Sequence, residues 1–257
     1  MYQKSQQGFP SPNGVWREFV YRENTNDQCT IEAVFKEDEY HLASLPVRNN
    51  GVIIDIGGHI GTFSILAATL FPTAHVFAYE PAAENWELFQ ESIRLNKLDL
   101  RVQANLKAVW SKAEEVITIY FGDETAFGTA HRFNCSHFQG WGKTDIDKNF
   151  DIETENLHSI LTKNAIEKVD ILKIDCEGSE YEIFNKASKE DLMKIDYIIG
   201  EYHNTQTPPM QDPRGELLKS LKGLFIDVSP DPRIDIVMPQ ILKDIPYHGD
   251  FTFRRII

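Results

Sequence analysis

The sequence predicts an α/β protein built on a mostly parallel sheet, with an antiparallel pair at its C-terminal edge. Three observations carry that prediction. The run Val52-Ile53-Ile54-Asp55-Ile56 passes directly into Gly57-Gly58-His59-Ile60-Gly61 and then into an amphipathic segment, so a buried strand turns tightly into a helix N-terminus. Strand-like and helix-like stretches alternate downstream, which implies parallel pairing through right-handed crossovers. The closing residues Phe251-Thr252-Phe253-Arg254-Arg255 alternate as an antiparallel strand should.

At 257 residues the chain can form one sizeable α/β domain, expected over residues 46–257 and preceded by an N-terminal extension or cap over 1–45. A formal net charge of −13 opposes the basic footprint of nucleic-acid binding, so no nucleic-acid partner is expected. Cys29, Cys135 and Cys176 are too few and too scattered for a disulfide framework or a zinc site, and they suit a reducing compartment. The polar start lacks an apolar signal core, and no run approaches the roughly 18 apolar residues of a membrane helix. A cytoplasmic protein with no membrane association is expected.

The elements follow from pattern. Residues 1–28 are polar and rich in Gly, Pro and Asn, and read as a loose arm; a strand is expected around Thr30–Phe35 and a helical turn near Tyr40–Leu45. After the strand at Val52–Ile56, Thr62–Leu70 has helical spacing, and Pro72 stops it. A strand at His75–Tyr79 ends on Glu80-Pro81, and a helix over Ala82–Asn96 has Trp86, Phe89 and Ile93 on one face. Extended runs follow at Leu100–Val109 and Val116–Phe121. From 122 to 150 no period of 2 or 3.6 survives, while Phe127, Phe133, Phe138 and Trp141 argue against disorder, so this stretch reads as a substrate-facing insertion. A helix at Asn156–Thr162 and a strand at Val169–Ile174 lead to Asp175-Cys176-Glu177-Gly178-Ser179-Glu180 and a further helix. A strand at Tyr197–Gly200 ends on Glu201-Tyr202-His203, a helix covers Arg214–Leu221, and Leu224–Val228 pairs at the edge with Phe251–Arg254.

The glycine turn is the first candidate site, because the absence of Cβ lets a ligand approach and the exposed N–H groups attract negative charge. Gly57-Gly58-His59-Ile60-Gly61-Thr62 lacks the second and third glycines of a dinucleotide fingerprint, which counts against a nicotinamide-dependent oxidoreductase. Glu80, ending the second strand, can accept two hydrogen bonds from a ribose diol; capping of the following helix is the structural alternative.

Val52–Gly61, Glu80-Pro81-x-x-x-Asn85, Asn96 and Leu172-Lys173-Ile174-Asp175-Cys176-Glu177-Gly178-x-Glu180 together resemble the FkbM-type S-adenosylmethionine-dependent methyltransferases over about residues 50–203. The resemblance implies a Rossmann-like class I methyltransferase fold with seven strands and helices on both faces. It places Asp55, Gly57, Gly58, His59 and Gly61 under the methionine part of the cofactor, Glu80 with Pro81 at the ribose, and adenine near Asn105–Ala108. Asn85 would brace that turn or contact the cofactor. Gly58-His59 departs from the family pattern, which leaves a role for His59 open.

Asp175 and Glu201 end adjacent strands, where open α/β sheets place ligands. Asp175, Glu201 or His203 could take the acceptor's proton; Asp175 is expected beside the reacting methyl, with His203 as the candidate base. Glu177 and Glu180 also suit the start of the helix that follows. Asp175, Glu177 and His203 suit magnesium or manganese, but their spacing is not diagnostic and no metal is assigned. Cys176, between acids, is a poor nucleophile. Tyr202 and Trp141 are candidates for a sulfonium or ring contact, and His131 and His137 for a substrate contact. The expected activity is O-methylation of a hydroxyl on a small sugar, polyketide or other natural-product-like acceptor. N-methylation, the oxidoreductase and a non-catalytic cofactor binder are the alternatives, and a homodimer is compatible with all of them.

Overall fold

The computed structural model describes residues 3–122, 132–135, 148–204, 210–229, 236–237 and 246–256. Two compact units divide at residues 107 and 108.

The first unit opens with a hairpin, β1 (Lys4–Pro10) and β2 (Trp16–Arg22), paired antiparallel from Lys4↔Arg22 to Pro10↔Trp16. The expected loose arm is therefore ordered. Its signal was local: Pro12-Asn13-Gly14 closes a turn in which Gly14 N donates to Ser11 O at 2.8 Å. The expected strand around Thr30–Phe35 is also helical. α1 (Asp27–Thr30) runs into a π-helix over Ile31–Lys36, which buries Ile31, Val34 and Phe35, a spacing of three and four that belongs to a helix. A 3₁₀ turn follows at Leu42–Ser44, within the expected helical turn.

The parallel core of this unit matches expectation closely: β3 (Val52–Ile56), α2 (Thr62–Leu70), β4 (His75–Tyr79), α3 (Ala83–Leu95) and β5 (Val102–Asn105). β4 lies between β3 and β5, parallel to both. The β-branched runs succeed as strands because both of their faces are covered, and Ile53, Ile54 and Ala78 are fully buried. The hairpin docks on α3 through Asn96, whose Oδ1 accepts from Glu18 N at 2.9 Å and whose Nδ2 donates to Glu18 O at 2.7 Å. Val20 N donates to Ser92 Oγ at 3.0 Å, and Phe19 meets Phe35 edge-on at 4.9 Å.

In the second unit, β6 (Ala108–Val109), β7 (Val116–Gly122), β8 (Arg132–Cys135) and β9 (Lys148–Glu155) form a small sheet in the order β6-β9-β7-β8 over Trp110, Ile117 and Ile119. Part of the aperiodic 122–150 stretch is thus strand. Phe127, His131, His137, Phe138 and Trp141 lie outside the described residues. α4 (Leu157–Lys163) starts at a capping box on Asn156 and Ser159. β10 (Val169–Ile174), α5 (Glu180–Lys186), α6 (Lys189–Met193) and β11 (Ile195–His203) follow, then α7 (Pro213–Ser220), β12 (Phe225–Asp227), the two-residue β13 (Ile236–Val237) and β14 (Pro246–Arg255). β11 runs parallel to β10 and antiparallel to β14, while β12 makes the expected antiparallel edge pair with β14. Within this unit the described strands lie in the order β12-β14-β11-β10, with β13 also on β14. No described helix is long and apolar enough to cross a membrane.

Asn96 satisfies both backbone groups of Glu18 with a single side chain. Asn96→Ala should therefore cost about 1–3 kcal/mol by leaving them without partners, measurable as a lower urea midpoint at unchanged slope.

Candidate active site

The glycine turn forms because backbone and side chain agree. Gly57 and Gly61 sit at φ 82° and 93°, where side-chain-bearing residues are strained, and a Cβ on Gly61 would lie 2.1 Å from Phe89 Cδ2. Gly57 N and Gly58 N both donate to Tyr79 O at 3.0 Å, so the turn is pinned to the end of β4. Asp55, fully buried, accepts from Ser64 Oγ at 2.7 Å and so ties β3 to α2.

Glu80 completes the turn. Its Oε2 accepts from His59 N at 2.8 Å, and its Oε1 accepts from Ala82 N at 2.9 Å and Asn85 Nδ2 at 3.2 Å. The carboxylate thus joins the glycine turn to the start of α3, just beyond Pro81, and Asn85 is placed as a brace on it. Capping of the turn that follows, one of the two roles read from sequence for this carboxylate, is seen directly in its bond from Ala82 N. Asn105, ending β5, donates from Nδ2 to Ala78 O at 3.0 Å.

His59 adopts φ 47°, and its side chain meets groups that pattern reading did not single out. Its Nε2 lies 3.3 Å from Arg22 Nη2 and 3.4 Å from Asp27 Oδ1. Arg22 and Asp27 are almost completely buried and form a two-pronged pair, Nε–Oδ2 and Nη2–Oδ1, both at 2.8 Å. Burial pushes the Asp27 carboxyl up, but the Arg22 hydrogen bonds and the charges of His59 and Arg22 outweigh it and hold the group below its ordinary value. An Arg and an Asp five residues apart in a polar segment gave no periodic signal for this.

The second unit gathers the other candidates at the carboxyl ends of two parallel strands. Asp175 follows β10 directly, and Glu201 and His203 lie in the last turn of chain of β11. Gly200 permits this register: a Cβ there would lie 1.7 Å from Ile174 O. His203, 5% exposed, donates from Nδ1 to Glu180 Oε1 at 3.1 Å; its Nε2 stands 3.6 Å from Glu177 Oε2 and 3.7 Å from Glu201 Oε2. Lys173 Nζ lies 3.7 Å from Asp175 Oδ2.

Glu180, fully buried, also accepts from Cys176 N at 3.0 Å. Burial lowers the His203 pKa, but the charges of Glu177, Glu180 and Asp175 and the Glu180 hydrogen bond more than reverse this and raise it well above the ordinary value. The expectation of an imidazole titrating near neutrality does not hold, because the acids around it stabilise the charged ring. Burial, then the charges of Glu180 and Asp175, push the Cys176 thiol well up, as befits a poor nucleophile. Tyr202 is fully buried.

A parallel α/β core with a glycine turn after its first strand and acids at later strand ends defines a methyltransferase-type fold. The fold is shared with a candidate SAM-dependent methyltransferase from Streptococcus mutans, at a TM-score of 0.52 and 12% identity, over 99% of this chain and 56% of that one. The FkbM methyltransferase domain matches residues 55–224, and the chain belongs to that family. Relatives include methyltransferase sdnD of Sordaria araneosa, 26% identical over 81% of this chain and 82% of that protein. The 31-O-demethyl-FK506 methyltransferase FkbM of Streptomyces tacrolimicus is 24% identical over 80% of each chain. The hexuronic acid methyltransferase AglP of Haloferax volcanii is 24% identical over 74% of this chain and 66% of that one.

Removing one member of the Arg22–Asp27 pair leaves a buried charge uncompensated. Asp27→Asn should therefore destabilise the protein by about 3–5 kcal/mol at pH 7. Because the folded-state pKa is depressed, this contribution is present above the unfolded value near 4 and is lost as pH falls through the folded one. Urea unfolding of both proteins at several pH values should show the difference narrowing below about pH 4.

Proposed function

We propose that the protein transfers the methyl group of S-adenosylmethionine to a hydroxyl of a small sugar, polyketide or other natural-product-like acceptor. The observation that carries this reading is the Glu80 carboxylate, fixed at the end of β4 and bonded to His59 N of the glycine turn. An acid so placed beside such a turn suits the ribose and methionine ends of this cofactor. Family membership supports methyl transfer. The names 31-O-demethyl-FK506 methyltransferase and hexuronic acid methyltransferase among the relatives support an oxygen acceptor.

In the reaction the acceptor oxygen forms a bond to the methyl carbon while the carbon–sulfur bond breaks. The sulfur keeps the electron pair and leaves as neutral S-adenosylhomocysteine. Positioning supplies most of the rate, and a base that removes the hydroxyl proton adds about 10²–10⁴-fold. Asp175 serves as the positioning acid beside the reacting methyl. Glu201, on the neighbouring strand end, takes the proton, and His203, gripped at Nδ1 by Glu180, steadies the Glu201 and Glu177 carboxylates.

Isothermal titration should show S-adenosylmethionine and S-adenosylhomocysteine binding to the purified protein. Glu80→Gln, which loses charge-assisted bonds to the ribose, should weaken both by about 10–100-fold. Folded protein that gives no heat with either ligand would overturn the cofactor assignment. In turnover with a hydroxylated acceptor, Glu201→Gln should lower kcat by about 10²-fold or more; full activity would exclude Glu201 as the base.

A further inference from the structure

We propose that Asp175, Glu177 and His203 bind one divalent cation of the magnesium or manganese type, with Glu201 beside it, and that this ion is where the acceptor hydroxyl docks. One ligand atom from each of the three residues lies within 4.8 Å of the others. The distances from His203 Nε2 to Glu177 and Glu201, 3.6 and 3.7 Å, exceed a hydrogen bond. An octahedral ion with bonds of roughly 2.0–2.2 Å holds neighbouring donors about 3 Å apart, so these groups need close by less than about 1 Å to share one.

Two further features point to a ligand here. Glu180 accepts from Nδ1, which fixes the ring orientation and presents Nε2 to the carboxylates, the arrangement by which buried acids orient metal-binding histidines. The other oxygen of that carboxylate, Glu180 Oε2, is fully buried with no hydrogen-bond partner among the described residues, so negative charge at this place exceeds the local supply of donors. The charges agree. Asp175, Glu177, Glu180 and Glu201 bring four negative charges against the single positive charge of Lys173. A divalent ion adds the missing positive charge on the partly exposed side, where Asp175 and Glu177 keep 27% and 34% of their side-chain surface. Binding releases any proton on Nε2 to solvent.

The donor set selects the ion. Two carboxylates and one imidazole, without thiolate, suit a hard or borderline cation, and open positions are left for water and a hydroxyl oxygen. A hydroxyl held on such an ion loses its proton more readily. The ion's role as a docking point rests on the O-methyltransferase reading; its binding does not.

The test uses the full chain after treatment with chelator. Electron paramagnetic resonance during titration with manganese(II) should show one ion bound per chain with micromolar affinity, and the bound signal should carry nitrogen coupling from His203. Asp175→Asn and Glu177→Gln should each weaken binding by at least about 10-fold, and Glu180→Gln by about 10–100-fold. His203→Gln should abolish the nitrogen coupling. Binding only in the millimolar range, a bound signal without nitrogen coupling, or affinity unchanged in the Asp175 and Glu177 variants would overturn the proposal. Wild-type protein supplies the first two readouts, so the test stands even where a variant fails to fold. Cofactor titration of the same chelated protein separates the two readings: cofactor binding without manganese binding removes only the ion, and the reverse removes only the cofactor.

Discussion

A carboxylate taken out of water must be given donors or a cation, and the functional parts of this protein are arranged around that requirement. Asp27, Asp55, Glu80 and Glu180 are all 3% exposed or less. Each is answered differently: Asp27 by a guanidinium, Asp55 by a hydroxyl, Glu80 by two backbone N–H groups and an amide, Glu180 by a backbone N–H and an imidazole. In every case an answering group comes from a different turn or element, so the buried charge is also a mechanical tie. Charge compensation and positioning of the site are therefore one problem solved once.

The parallel core was legible in the sequence because its signals are local and strong. Val52–Ile56, His75–Tyr79 and Val169–Ile174 lie within the structure as read, since β-branched residues covered on both faces leave little alternative. The N-terminal segment was not. β1 buries only Phe9 fully, so it has no face to alternate, and its strand character comes from pairing with β2. Ile31, Val34 and Phe35 suit a strand by residue type and a helix by spacing, and spacing prevailed.

The site divides in the same way. The residue types at strand ends singled out Asp55, Glu80, Asp175 and Glu201 as candidates, but bonding partners depend on contacts remote in sequence. Sequence could not show that Arg22 and Asp27 meet His59, nor that Glu180 lies on the far side of the His203 ring. The second of these changes the chemistry expected of His203, because acids on both sides of the imidazole raise its pKa well above the ordinary value. Gly200, unremarkable in the sequence, is the residue whose missing Cβ lets β11 approach Ile174 O closely enough to form the cluster.

The contact of His59 with Arg22 and Asp27 separates two kinds of boundary. The stretch shared with the family begins at residue 55, yet the ion pair beside the glycine turn is supplied from residues 22 and 27. His59 holds a backbone angle that is costly for a residue with a side chain. Part of what keeps it there lies upstream of the shared stretch. Descent is recorded from one residue onward and mechanical integrity from another, so a fragment trimmed to the inherited segment would keep the glycine turn but lose the ion pair that meets His59.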